Sequence, residues 1–275
     1  MGTITTGIQL AKSSARAKAV ESDEGKDAKD AKDAKAEVVE SKEPVPLSTP
    51  RRVNLDPDVL AKNRVICPDS PPAARAAYKM LRTRVLRRLQ ANRWESMGIT
   101  SLNKGEGKTL TTINLAISIA SQHDQSVILV DLDLRNPTVY KYLGLSAKPG
   151  LDSWFDGNAE LGDLMVCPNI DRLFVIPNRV TFAESSELLQ SQPMLEMIDQ
   201  IRTAYPTSLV LFDLPPILEA DDVLAFTPHL DTMLLVVSQG QTERNRLPRA
   251  KELLEDTNLL GVVLNKSDEA SSSYY

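Results

Sequence analysis

Three segments carry residue types at spacings that suit phosphate and metal chemistry. The first is Ser101-Leu-Asn-Lys-Gly-Glu-Gly-Lys-Thr109. Gly105 and Gly107 allow the backbone to curl so that successive N–H groups point inward at phosphate oxygens. Lys104, Glu106 and Leu110 complete the loop around such a ligand. Lys108 has the reach for β- and γ-phosphates, and the Thr109 hydroxyl suits a Mg²⁺ ion. Leu102 stands where the GxxxxGK[ST] spacing has its first glycine. The second segment, Val127-Ile-Leu-Val-Asp131-Leu-Asp133-Leu-Arg135, ends an aliphatic run with two carboxylates two residues apart. They share a face if the extended conformation persists. In the third, Leu209-Val-Leu-Phe-Asp213-Leu-Pro-Pro216, Asp213 has the position of a Walker B carboxylate in a metal shell. One Asp after a strand is usually a turn or cap residue. Three of them beside a phosphate loop point to phosphoryl chemistry.

Such residues need a frame that brings them together. Aliphatic runs at 97–101, 126–131, 173–177, 208–213, 232–238 and 260–264 read as strands. Helical segments at 108–122, 193–204, 221–226 and 247–255 lie between them. Ala74, Ala77, Tyr78, Leu81, Val85 and Leu89 recur at helical spacing after Pro71-Pro72, on a helix that also carries Arg75, Lys79, Arg82, Arg84, Arg87 and Arg88. Strands alternating with helices predict an α/β fold, a mainly parallel sheet flanked by helices. In such a sheet the carboxyl ends of the strands line the ligand crevice, so the three Asp converge on the phosphate loop.

The 275 residues divide unevenly. Every aromatic lies from Tyr78 onward, and 21–43 is almost entirely Lys, Asp, Glu, Ala, Ser and Gly, with a repeated KDA triplet. This composition predicts a disordered leader over 1–67, a P-loop domain over 68–270 and a short tail over 271–275. A net charge of −5 argues against a general nucleic-acid binder. Cys67 and Cys167 form no CxxC or Cys/His grouping, so neither a disulfide scaffold nor a zinc site is expected. No apolar stretch has the length of a bilayer span. His123 and His229 read as cap or surface residues, and Asp221-Asp222 as a helix start favoured by the dipole.

With the glycine–lysine loop, Asp131-Leu-Asp-Leu-Arg-Asn-Pro137, Asp213-Leu-Pro-Pro216 and the terminal Ser271-Ser-Ser-Tyr-Tyr275, the chain resembles the bacterial tyrosine kinases of capsular and exopolysaccharide systems over roughly 68–275. The resemblance implies an ATP-dependent protein-tyrosine autokinase of the P-loop NTPase fold. In it Lys108 and Thr109 hold phosphate and Mg²⁺, and Asp131 accepts the tyrosine hydroxyl proton. Asp133 and Asp213 order the metal and its waters, Arg135 supports the acceptor or the phosphate charge, and Tyr274 and Tyr275 are the phosphoacceptors. It also implies self-association with trans-autophosphorylation, a separate transmembrane polysaccharide co-polymerase as activator, and a cytoplasmic protein recruited to the inner face of the membrane. Partition-type regulatory ATPases share the fold and parts of the first motif. A nucleotide-binding adaptor of a co-polymerase is a third reading.

Two departures matter. The family's E-x-x-R-x-x-R motif is matched here by Ala76, Lys79 and Arg82, so its acid is missing. Asn265-Lys-Ser-Asp268 fits a guanine-reading NKxD pattern. Against GTP, the glycine expected after the Walker B strand is replaced by Pro215 and Pro216, which have no N–H for a γ-phosphate. The balance favours ATP, with Asn265 near the adenine.

Overall fold

A computed structural model describes residues 48–122, 124–146 and 148–267, together with the backbone course of 5–7. His123 and the tail tyrosines Tyr274 and Tyr275 lie outside these described residues, as does 8–47. In chain order the elements are β1 (Thr5–Gly7), β2 (Arg51–Val53), α1 (Pro57–Lys62), α2 (Pro72–Asn92), β3 (Ser96–Ser101), α3 (Lys108–Ala120), β4 (Ser126–Asp131), α4 (Val139–Leu143), α5 (Leu151–Phe155), α6 (Leu161–Leu164), β5 (Val166–Pro168), β6 (Leu173–Ile176), α7 (Ser185–Leu189), α8 (Gln192–Ala204), β7 (Ser208–Asp213), α9 (Asp222–Phe226), β8 (Thr232–Ser238), α10 (Leu247–Leu253) and β9 (Leu259–Ser267). Two short 3₁₀ turns precede β8 and α10.

Among the described residues the strands form one sheet in the order β1-β9-β8-β3-β7-β4-β6-β5-β2. The pairs β1–β9 and β5–β6 are antiparallel, and the rest are parallel. The central strands β3, β7 and β8 are buried at every position, which is why their sequences read as apolar runs without polar alternation. Successive side chains still go to opposite faces. Val127, Leu129, Leu209, Leu211, Leu234 and Val236 share one core with α1, α2 and α3. Ile128, Val130, Val210, Phe212, Leu235 and Val237 share a second core with α8, α9 and α10.

On α2, Tyr78, Leu81, Val85 and Leu89 are buried as their spacing predicts. Arg82 and Arg88 are held by backbone carbonyls. Arg82 donates to Ser118 O at 2.8 Å, and Arg88 donates to Leu260 O. Arg75, Lys79 and Arg87 remain exposed.

The fold begins earlier than the expected boundary at residue 68. β2 pairs in parallel with β5, and Leu55, Leu60, Val65 and Ile66 are buried in the first core. Asn114 on α3 fastens this stretch, accepting from Ile66 N at 2.8 Å and donating to Arg64 O at 3.2 Å. The part of the predicted leader over 51–67 is therefore folded. Its few aliphatic residues are too widely spaced to show periodicity, and burying them needs no aromatic. The short strands β2 and β5 were likewise not expected, being three residues each.

Candidate active site

β3 delivers the chain into the phosphate loop, and α3 starts at Lys108 with Gly107 as its cap in the left-handed region at φ 91°. A Cβ on Gly107 would lie 2.2 Å from Asn265 Nδ2, so only glycine allows both the turn and the approach. The helix then presents its first N–H groups and the positive end of its dipole toward the crevice.

Three side chains named from sequence meet Lys108 directly. Its Nζ lies 2.6 Å from Asp133 Oδ2, 3.2 Å from Thr109 Oγ1 and 3.6 Å from Asp213 Oδ2. The Thr109 hydroxyl donates to Asp213 Oδ2 at 2.6 Å, and Thr112 reaches Asp213 Oδ1 at 3.3 Å. The strand ends explain the convergence, because Asp131 and Asp213 are register partners on β4 and β7. Asp131 sits beside this group but engages backbone. Its Oδ2 accepts from Thr138 N and Val139 N, both at 3.0 Å, and its Oδ1 accepts from Asp133 N at 3.3 Å. Arg135 pairs instead with buried Asp222 at 2.9 Å and with exposed Asp221 at 3.2 Å.

All three carboxylates and the lysine are buried. Burial pushes the Asp131 carboxyl well above the usual range, and the charge of Asp213 adds to the rise against Val139 N–H and Lys108. Asp213 is raised by burial too, partly offset by Lys108 and the Thr109 hydroxyl. For Lys108 burial works to lower the pKa, but the charges of Asp213 and Asp133 outweigh it, and the ammonium is held more firmly than an ordinary lysine. The site thus combines a secured cation with acids of raised proton affinity. Thr109, Asp133 and Asp213 supply oxygen donors only, which is the ligand chemistry of Mg²⁺.

The rest of the loop is braced from outside. Glu106, 1% exposed, accepts from Leu102 N (2.8 Å), Asn103 N (3.1 Å) and Asn103 Nδ2 (3.1 Å). Asn265 Nδ2 donates to Glu106 O at 2.9 Å, and Lys266 Nζ to Gly105 O at 2.6 Å. Lys104 N donates to Glu219 Oε1 at 2.7 Å. Among the described residues, no group of three or more His, Cys, Asp and Glu forms a metal cluster of its own. Sequence reasoning read Asp222 only as a helix-start acid, and missed Thr112, Glu219, Thr242 and Arg246. Of these only Thr112 had a local signal, one helical turn beyond Lys108.

No protein-family model matches the chain. It is 33% identical over 181 residues to the tyrosine-protein kinase CpsD of Streptococcus agalactiae, covering 65% of this chain and 78% of that relative. The chain belongs to the bacterial protein-tyrosine kinases. Its fold agrees. The kinase domain of the Escherichia coli tyrosine kinase ETK superposes with a TM-score of 0.67 at 25% identity, covering 83% of this kinase and 94% of that chain. The septum site-determining protein MinD of Pyrococcus horikoshii OT3, solved with Mg-ADP, shares the fold at 21% identity and a TM-score of 0.51, over 61% of this kinase and 68% of that chain. The kinase is therefore a P-loop NTPase-type α/β protein.

Proposed function

We propose that this kinase transfers the γ-phosphoryl group of Mg·ATP to tyrosines of its own C-terminal tail, Tyr274 and Tyr275, in a neighbouring copy. The observation that carries the reading is the convergence of Lys108, Thr109, Asp133 and Asp213 under the phosphate loop. Thr109, Asp133 and Asp213 would hold Mg²⁺, which when bound neutralises charge on the phosphate oxygens. Lys108, kept protonated by its acidic neighbours, supplies the fixed positive charge for the transferring group. Lys104, Gly105, Glu106, Gly107 and Leu110 shape the wall around the phosphates, and Asn265 holds that wall on the side of the adenine.

Asp131 is the base. A phenol with a pKa near 10 gives up its proton more readily to a carboxylate whose own proton affinity is raised. Arg135 supports the acceptor side, its guanidinium held at the crevice rim by Asp221 and Asp222. The phosphoryl group added to a tail tyrosine brings about −1.5 to −2 charges and weakens docking into an acidic crevice. Tail phosphorylation then loosens self-association and gates polysaccharide production or export. Among the described residues no helix is long and apolar enough to cross a membrane. We assign membrane recruitment to a separate transmembrane co-polymerase, as the resemblance implies. The domain on this reading runs to about residue 270, with the tail beyond.

The test is incubation of the full chain with Mg·ATP and its activator, with mapping of phosphotyrosine and measurement of free phosphate. Phosphate on Tyr274 or Tyr275, lost in Lys108→Met, is the expected result. Free phosphate without phosphotyrosine would favour a regulatory ATPase, and neither product would favour an adaptor.

A further inference from the structure

The loop between β8 and α10 takes no part in the family motifs, yet it grips the phosphate loop. Thr242 Oγ1 donates to Glu106 Oε1 at 2.6 Å and accepts from Ser238 N at 2.8 Å. Because its one proton goes to Glu106, the hydroxyl relays the end of β8 to the buried carboxylate. Alongside it, Arg246 donates to Asn103 Oδ1 at 2.6 Å, and Lys266 Nζ bridges Gly105 O and Gln241 Oε1 at 2.6 and 2.7 Å.

The carboxylate at the centre of this arrangement needs a reason. A buried negative charge beside a phosphate site is unfavourable unless it is well hydrogen-bonded. Glu106 receives the two backbone N–H groups of Leu102 and Asn103, the Asn103 amide and the Thr242 hydroxyl. This is also where Leu102 replaces the usual first glycine of the loop. The Glu106 carboxylate therefore ties down the first two residues of the loop, and Glu219 takes the N–H of the third. The N–H groups from Gly105 to Thr109 remain to face phosphate.

We infer that Thr242 is a positioning residue for phosphate binding: it orients the Glu106 carboxylate, which sets the curl of the loop from 102 to 107. Thr242 acts through Glu106 and does not touch the ligand. The inference rests on the ATP reading above. A fixed loop binds the phosphates of the ground state and of the transition state alike, so loss of the relay raises KM and spares kcat.

Steady-state phosphotyrosine formation by the full chain, titrated with ATP, tests this. In Thr242→Val the hydroxyl is lost and the shape kept. The KM for ATP should rise about tenfold, the scale of a hydrogen bond to a charged group, with kcat within about twofold of wild type. Thr242→Ser should return KM to within about twofold of wild type. A purely structural role would lower the folded fraction and with it kcat, leaving KM unmoved. An unchanged KM in Thr242→Val, or a serine variant as impaired as the valine one, overturns the inference. If Thr242→Val is not recovered folded, Thr242→Ala is read by the same criterion, with a raised KM supporting the relay and an unchanged one overturning it. A wild-type chain that binds no fluorescent ATP analogue overturns the ATP reading and this inference together. Wild-type binding with an indifferent Thr242→Val overturns the relay alone.

Discussion

The strands of this kinase end in acidic side chains at both poles of the sheet, and the two poles treat them differently. At the amino ends of β3 and β8, Asp231 Oδ2 accepts from Glu95 N (2.8 Å), Ser96 N (2.8 Å) and Ser96 Oγ (2.9 Å), and Asp231 N donates back to Ser96 Oγ at 3.0 Å. One partly exposed carboxylate there has neutral donors enough to satisfy it. At the carboxyl ends of β4 and β7, three buried carboxylates crowd around one lysine, and Asp131 and Asp213 are pushed toward protonation. The first arrangement closes the sheet. The second keeps an unfavourable concentration of buried charge, as is common where stability is given up for function.

This contrast breaks if acids at the two poles respond alike to substitution. The largest effect belongs to Asp131→Asn, which should lower phosphotyrosine formation by about 10²–10⁴-fold, the usual weight of a general base. Quantitative phosphopeptide analysis would read it. Lys108→Met should lower kcat by roughly 10²–10³-fold, as for other lost electrostatic stabilisers.

The same Asp131→Asn change should raise the thermal midpoint at neutral pH. The sign follows from the raised pKa. The folded chain binds the Asp131 proton more tightly than the unfolded one, so the penalty is absent below the unfolded value of about 3.9 and grows as pH rises through the folded pKa. The gain in midpoint should be larger at pH 8 than at pH 5 and fade as the pH falls toward 4, by calorimetry. An equal midpoint at pH 8 would remove the argument for stored electrostatic cost.

Asp231→Ala should do the reverse, costing about 1–3 kcal/mol through unpaired donors, or roughly 2–4 °C per kcal/mol, while kcat stays at the wild-type value. The smallest change is expected from Arg246→Ala. Its side chain is half exposed, so its bond to Asn103 is weakened by water, and the ATP affinity should move by no more than about threefold.

The active pole was more legible in the sequence than the structure around it, for physical reasons. A phosphate loop needs glycine freedom, a lysine and a hydroxyl within nine consecutive residues, so its chemistry is written locally in 101–109. The placement of Asp131, Asp133 and Asp213 beside the loop was legible because the carboxyl ends of buried strands announce themselves by apolar runs. The braces had no such signal. Thr242 and Glu106 are 136 residues apart, and only the adjacency of β8 and β3 joins them. Asp222 reads as a helix-start acid, which it is, but its pairing with Arg135 depends on where α9 packs. The stretch over 51–66 was misread because composition was judged by its missing aromatics, whereas its aliphatic side chains enter the core singly.

That stretch also has a bearing on handling the protein. In the order of the sheet β2 is the last strand on its side, and it occupies the hydrogen-bonding edge of β5. Trimming the chain at residue 68, where the composition changes, would strip that edge and uncover the aliphatic surface beneath Leu55, Leu60 and Val65. A bare strand rim beside fresh apolar surface is a template for intermolecular pairing, and such a truncation should precipitate or form soluble aggregates where the full chain stays dispersed.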